Sequence, residues 1–223
     1  RTWEIGEDGG CSEEAAAVIR ERLLGQVFAV SSQIVDEGIC SMEDVDRGAK
    51  VGLRWANGPF ELANHIGVSE AVRMASAYAA EAGLNLPDWF TDRKELFDFS
   101  YIDVEVEDSI ATVRINRPEA MNALNVTLVS QLGEALDGLN TRDDITTIVL
   151  EGAGKAFVAG ADVKFFVDKI RDDAIQDIYD FTAHGHAVLD KLESSPKTTI
   201  ALTTGLTLGG GLELALACDY RVG

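Results

Sequence analysis

The segment Gly205-Leu-Thr-Leu-Gly209-Gly210-Gly211-Leu212-Glu213-Leu214-Ala215-Leu216-Ala217-Cys218-Asp219 has the residue types most able to do chemistry. Three consecutive glycines leave the backbone bare, so N–H groups can reach a ligand. They stand where a helix begins, and its unpaired amides and positive dipole end favour a negative oxygen. Glu213 is the one charge in the apolar helix that follows. Burying a lone carboxylate is costly, so the sequence predicts that Glu213 is hydrogen-bonded, shifted in pKa, or used in a reaction. The competing reading is a solvent-facing glutamate beside a tight helix–sheet contact.

A second glycine loop lies upstream, Gly152-Ala-Gly154-Lys-Ala-Phe157-Val-Ala-Gly160-Ala161-Asp162-Val163-Lys164. It follows a predicted strand and precedes a predicted helix. It fits neither the GxxxxGK[ST] phosphate loop nor the GxGxxG dinucleotide turn, and the latter occurs nowhere in the chain. Two such strand–loop–helix turns could aim two amide donors at one oxygen. An acyl oxyanion requires that arrangement, and losing one such donor raises a barrier by about 3–4 kcal/mol.

Other chemistry-bearing residues read as structural. His184 and His186 are two apart on a predicted helix, do not share a face and have no third ligand at metal spacing. No metal is expected. Cys11, Cys40 and Cys218 are an odd set without CxxC spacing, which argues against a disulfide framework or zinc. Cys218 reads as a small buried hydrophobe, Asp219 as a capping group, and Trp55 and Phe60 as core.

The chain holds 38 acidic against 19 basic residues, a formal charge of −19, split evenly about Ser100. No basic face is available for nucleic acid, so that partner class is excluded. The acid excess fits a well-solvated surface; adaptation to high salt is the alternative, since lysine is scarce among the cations. The longest uncharged stretches, Thr198–Leu212 and Leu23–Val35, fall short of the ~18–20 apolar residues of a membrane span. Composition is otherwise ordinary for a globular protein of a cytoplasmic, reducing compartment. The chain opens on Arg1 and stops at Gly223 after a strand-like Tyr220-Arg221-Val222, and both ends read as cut from a longer protein.

The first hundred residues are helical in pattern. Ser12 caps a helix whose stripe Ile19, Leu23, Val27, Val30 and Ile34 is expected to face the core, ending at Gly38. Ser41 caps a second helix, Pro59 opens a third that Gly67 ends, and Ser69 caps a fourth before Gly83. After Ser100 the period changes. Ile102–Val106 and Ala111–Ile115 form a hairpin, followed by a helix at 126–139, a strand at 146–150, helices at 163–169 and 174–192, a strand at 199–203 and a helix at 210–218. Strands alternating with helices imply βαβ crossovers.

Three segments carry a resemblance. Asn116-Arg117-Pro118-Glu119-Ala120-Met121-Asn122-Ala123-Leu124, then Ala156-Phe-Val-Ala-Gly-Ala-Asp162-Val-Lys164, then Gly205-Leu-Thr-Leu-Gly-Gly-Gly-Leu-Glu213 are similar, in order, to the signatures of the crotonase (enoyl-CoA hydratase/isomerase) family. That resemblance implies a spiral of ββα units and an acyl-CoA thioester substrate. It implies that the Ala161 and Gly210 amides form the oxyanion hole. Ala120, Ala123, Leu124, Ala161, Asp162, Val163, Lys164 and Gly210 would then bind coenzyme A and substrate. Glu213 is implied to be one of two catalytic glutamates that handle water adding to a trans-2-enoyl-CoA. The second lies some twenty residues further on in the family, beyond this chain, so the 223 residues are expected to be catalytically incomplete. Isomerisation of the double bond on the same oxyanion hole is the alternative, and a non-catalytic fragment the other.

The front half resembles a different family. Arg22-Leu-Leu-Gly-Gln-Val-Phe, Asp36-Glu-Gly-Ile-Cys-Ser-Met-Glu-Asp-Val-Asp46-Arg-Gly and Gly52-Leu-Arg-Trp-Ala-Asn-Gly-Pro-Phe-Glu-Leu62 are similar to the helical C-terminal domain of 3-hydroxyacyl-CoA dehydrogenases. His65 falls outside that family's catalytic motif and reads as a surface or structural residue. The combined expectation is an all-α domain (1–84), a linker (85–100) and the first half of a ββα spiral domain (101–223), α+β and α/β in class. The resemblance implies a piece of a dehydrogenase–hydratase fusion of fatty-acid β-oxidation, homo-oligomeric as a whole. Its NAD would bind a domain absent from these residues, and no cofactor is expected on this portion.

Overall fold

The computed structural model describes residues 12–223 and divides between Phe99 and Ser100 into two compact units. Cys11 lies outside the described residues. Helix α1 (Glu13–Asp36) starts where Ser12 Oγ accepts the Ala15 amide at 3.2 Å, with Glu13 and Glu14 in the first turn. Helix α2 (Met42–Gly52) starts the same way from Ser41 Oγ, 3.1 Å from the Asp44 amide. Helices α3 (Pro59–Ile66), α4 (Val68–Ala82) and the short α5 (Asp88–Thr91) complete the unit.

Three expectations for this unit are corrected. Of the expected stripe, Ile19, Leu23 and Val30 are exposed, Ile34 is half-buried and Val27 packs on the core, where Gly25, Phe28, Ala29 and Ser32 are buried. The cause is small-residue packing of α1 on α4: a Cβ on Gly25 would lie 2.4 Å from the Met74 carbonyl oxygen, and Ala71 and Ala75 are fully buried. Close backbone approach outweighs the wider apolar stripe. Helix α4 starts at Val68, not after a Ser69 cap, because one residue separates it from α3 and only Gly67 (φ 95°) makes that turn. Trp55 is 38% exposed, whereas Phe60 is core.

Residues 85–99, most of the segment expected to cross between domains, fall in the helical unit, and Leu86, Trp89, Phe90, Phe97 and Phe99 belong to its core or pack on it. Phe90 and Phe97 are buried, with their rings stacked at 6.0 Å, and Phe97 meets Phe60 edge to face at 5.0 Å. Asn64 clasps the Phe97 backbone through both its amide atoms, at 2.8 and 2.9 Å.

The second unit is built from ββα steps. Strands β1 (Ile102–Glu107) and β2 (Ile110–Ile115) form the antiparallel hairpin, followed by a 3-10 turn (Pro118–Ala120) and α6 (Val126–Asn140). Then come β3 (Thr147–Gly152), β4 (Ala156–Ala159), α7 (Val163–Arg171) and α8 (Ile175–Glu193). The last step is β5 (Thr198–Leu202), β6 (Leu206–Leu208) and α9 (Gly210–Leu216), and β7 (Tyr220–Val222) follows. Each later step gives one strand to a five-stranded sheet, ordered β1-β2-β3-β5-β7, and one to a parallel pair, β4-β6. All pairings but the hairpin are parallel. Strands β4 and β6 were not expected: each is short and hidden between the glycines of its loop.

Among the described residues no helix is long and apolar enough to cross a membrane.

Candidate active site

Strands β4 and β6 run parallel with Ala159 opposite Leu208. Each leaves the sheet through a glycine of positive φ, Gly160 at 90° and Gly209 at 48°. Ala161 and Gly210 follow at equal offsets, so a spacing of about 4.8 Å between neighbouring strands brings them side by side. The two turns touch, since a Cβ on Gly209 would lie 3.7 Å from Gly160 Cα.

The direction of each amide follows from its hydrogen-bonded neighbours. Ala161 forms a lone parallel bridge with Leu124, made by the Leu124 amide to the Gly160 carbonyl and the Asp162 amide to the Leu124 carbonyl, both 2.8 Å. In a parallel bridge the central residue turns its own N–H away from the partner, so the Ala161 amide faces away from Leu124. Gly210 is the first residue of α9, and first-turn amides have no intrahelical acceptor. The Gly209 carbonyl accepts the amides of Leu212 and Glu213, at 2.8 and 3.1 Å.

Ala161, Gly210, Leu124 and Glu213 line one cavity of about 280 Å³. Its walls are otherwise mostly apolar, from Val129 and Leu132 on α6 to Phe166, Phe181, Val188 and Leu189 on α7 and α8. Glu213 is the one carboxylate among the lining residues. Its Oε2 lies 4.0 Å from where a Gly210 Cβ would be, at the amide end of α9. The expectation that this carboxylate is buried is corrected: Glu213 is exposed. Only the Gly211, Leu214 and Ala215 side of α9 is covered, and Leu212 and Leu216 stand exposed with the glutamate.

The remaining expected ligands are placed around this cavity, not in its lining. Asp162 is occupied by protein partners: Oδ2 pairs with Arg117 Nη2 at 2.9 Å and Oδ1 accepts the Lys164 amide at 3.1 Å, capping α7. Val163 and Lys164 sit exposed on the first turn of that helix. Ala120 closes the 3-10 turn, and the Ala123 carbonyl accepts from Arg117 Nη1 at 2.9 Å. His186 and Thr182 line the cavity, whereas His184 faces Ser130, 3.3 Å from its Oγ. No cluster of metal-ligating side chains occurs among the described residues. The sequence reading missed Arg117 and Asn122 as site-building residues and the wall from α7 and α8. The only sign of the first two was their place in the Asn116–Leu124 motif.

The helical unit holds a larger apolar groove, about 710 Å³, between α1, α2 and α3. Its lining has no titratable side chain, so it offers no acid–base chemistry.

Residues 105–223, just over half of the chain, match the model of the Enoyl-CoA hydratase/isomerase family. The chain belongs to that family. Residues 19–93 match the 3-hydroxyacyl-CoA dehydrogenase C-terminal domain. Crotonyl-CoA hydratase of Syntrophomonas wolfei is 36% identical over 125 residues, which cover 56% of this chain and 46% of that protein. Short-chain-enoyl-CoA hydratase of Clostridium acetobutylicum is 33% identical over 126 residues, covering 56% and 47%. Among solved structures, an enoyl-CoA hydratase/carnithine racemase from Magnetospirillum magneticum has a TM-score of 0.51 at 40% identity, covering 55% of this chain and 46% of that one. The chain thus spans about half the length of the curated relatives it matches. The fold is the family's ββα arrangement preceded by a helical unit.

Membership explains why three motifs separated by tens of residues recur together. Asn116–Leu124 supplies the bridge to Ala161, Ala156–Lys164 supplies one turn, and Gly205–Glu213 supplies the other with its carboxylate. The GPFEL segment of the helical unit has a structural logic of its own. The buried Asp46 carboxylate accepts the Phe60 and Glu61 amides, both at 2.8 Å, and Glu61 returns to the Gly58 amide at 3.0 Å.

Proposed function

We propose that the second unit binds an enoyl-CoA thioester and contributes the oxyanion hole and one carboxylate to the hydration of trans-2-enoyl-CoA. One observation carries the reading: Ala161 and Gly210, from two adjoining parallel turns, line the same apolar cavity as Glu213. The two amides would hold the thioester oxygen as the C2=C3 pair moves toward it, with the water oxygen bonding to C3 and a proton reaching C2. Glu213 would orient the water or pass the proton. Glu213 is the single carboxylate of the lining, so the second glutamate of the two-carboxylate reading is not among these lining residues. The parent protein is then a β-oxidation enzyme of the cytoplasm, joining a hydratase to a dehydrogenase.

On this reading NAD is bound by the dehydrogenase portion of the parent, since residues 19–93 match only the C-terminal domain of that enzyme. No hydride step is assigned to this chain.

The test is the loss of enoyl absorbance with crotonyl-CoA. The parent protein is expected to turn over, and Glu213→Gln to lower kcat by about 10²–10⁴-fold. The 223-residue chain is expected to bind the thioester with little turnover. Full turnover by this chain would overturn the two-carboxylate reading. A second reading, isomerisation of a 3-enoyl-CoA, is favoured by the single carboxylate, since moving one proton along the chain needs only one such group. Turnover of a 3-enoyl-CoA but not of crotonyl-CoA would select it, and binding without either reaction would select a non-catalytic role.

Homo-oligomerisation belongs to the same proposal. Val163, Val167 and Ile170 on α7 and Leu212 and Leu216 on α9 are exposed apolar side chains. Self-association is the expected result on size-exclusion chromatography; a tight monomer at all concentrations would refute it.

A further inference from the structure

The bridge that orients the Ala161 amide is one residue long and held by only two backbone hydrogen bonds, each weak by itself. Arg117 spans it from outside. Its Nη1 donates to the carbonyl of Ala123, just before Leu124, and its Nη2 pairs with Asp162, just after Ala161, both at 2.9 Å. Both side chains are mostly buried, at 16% and 22% exposure. The guanidinium lies over the Tyr101 ring at 5.7 Å. The Arg117 backbone is fixed in turn: its amide donates to Oδ1 of the fully buried Asn122, whose Nδ2 donates to the carbonyls of Ala153 and Ala156.

We propose that Arg117 and Asp162 are positioning residues that hold Leu124 against Gly160–Asp162 and so aim the Ala161 amide at the thioester oxygen. This rests on the oxyanion-hole reading above. A guanidinium suits the task because two nitrogens of one planar group reach two acceptors on opposite sides of the bridge; an ammonium is a single point charge. Asp162 therefore acts through the backbone of its neighbour, and coenzyme A is not its partner.

The test compares wild type with Arg117→Lys, Arg117→Met and the near-isosteric Asp162→Asn. The red shift of 2,4-hexadienoyl-CoA on binding reports carbonyl polarisation without turnover. Values of kcat and KM for crotonyl-CoA are measured in the parent protein. The Arg117 variants are expected to lose most of the red shift and about 10–100-fold in kcat, with KM held within about threefold. Asp162→Asn is expected to show a smaller loss of the same kind, and it carries the test if Arg117→Met does not fold. Folded variants that keep the red shift and kcat would overturn the clamp, and so would a rise in KM alone, which marks a direct coenzyme A contact. A wild type that neither shifts the chromophore nor hydrates crotonyl-CoA would fail at the oxyanion hole itself and overturn both readings.

Discussion

Gly211→Ala is expected to destabilise the second unit by about 3 kcal/mol, at the upper end of overpacking costs, and to lower turnover in the parent protein by about 10²-fold. A Cβ at this position would lie 2.1 Å from the Val158 carbonyl oxygen and 2.7 Å from Val158 Cβ. Neither atom is the end of a flexible side chain, so α9 must lift from β4. That movement carries Gly210 and Glu213 away from Ala161, which stays fixed by Leu124. The paired control is Gly138→Ala in α6, where a Cβ meets nothing within 4 Å. There, removing a helical glycine is expected to stabilise by about 0.5–1 kcal/mol. Denaturant unfolding of the two variants gives opposite signs if close backbone contact, and not glycine itself, holds the site together. Equal destabilisation by both substitutions would refute the packing argument.

The same contact shows what the sequence could and could not reveal. Three adjacent glycines before an apolar helix announce close approach and free amides, so Gly210 and Glu213 were legible as a pair. Strands β4 and β6 were not, because three- and four-residue strands flanked by glycine have no period to detect. Their register is what sets Ala161 beside Gly210. The Arg117–Asp162 pair is 45 residues apart in the chain, and no local pattern relates them. Glu213 was misread as buried because periodicity reports which residues are apolar, not which side of a helix is covered. Leu212 and Leu216 make that side look like core, yet both are exposed. Helix α1 repeats the lesson, since Ile19, Leu23 and Val30 of its apolar stripe are left exposed where small residues let α4 approach beside them. Caps were read well, at Ser12 and Ser41, because they depend only on residues three apart.

The helical unit is expected to lose stability as pH rises from about 4 to 7, with Asp46 responsible for a separable part. Asp46 is 1% exposed, and burial raises its pKa from the ordinary 3.8 to about 6 against the opposing effect of the Phe60 and Glu61 amides. The neighbouring Glu61 carboxylate raises it further, and Lys50, 2.7 Å from Glu61, lowers it. A carboxyl whose folded pKa exceeds its unfolded one favours folding when protonated. Its contribution is full below the unfolded value and lost as pH climbs through 6, an amount on the order of 3 kcal/mol. Acid repulsion elsewhere gives a slope of the same sign, so the quantity to measure is the difference between wild type and Asp46→Asn. That difference is expected to change between pH 4 and 7 and to level off above it; parallel profiles would refute the assignment. Asp46→Ala separates the hydrogen bonds from the charge. It strands two amides at the start of α3, one buried and one part-buried, and opens the space against which Gly58 packs, where a Cβ would fall 2.2 Å from Asp46 Cγ. A loss of about 3 kcal/mol at neutral pH is expected from the two charge-assisted bonds, read by thermal or denaturant unfolding of the helical unit. The carboxylate thus carries an electrostatic cost while giving each of two adjacent amides an oxygen of its own.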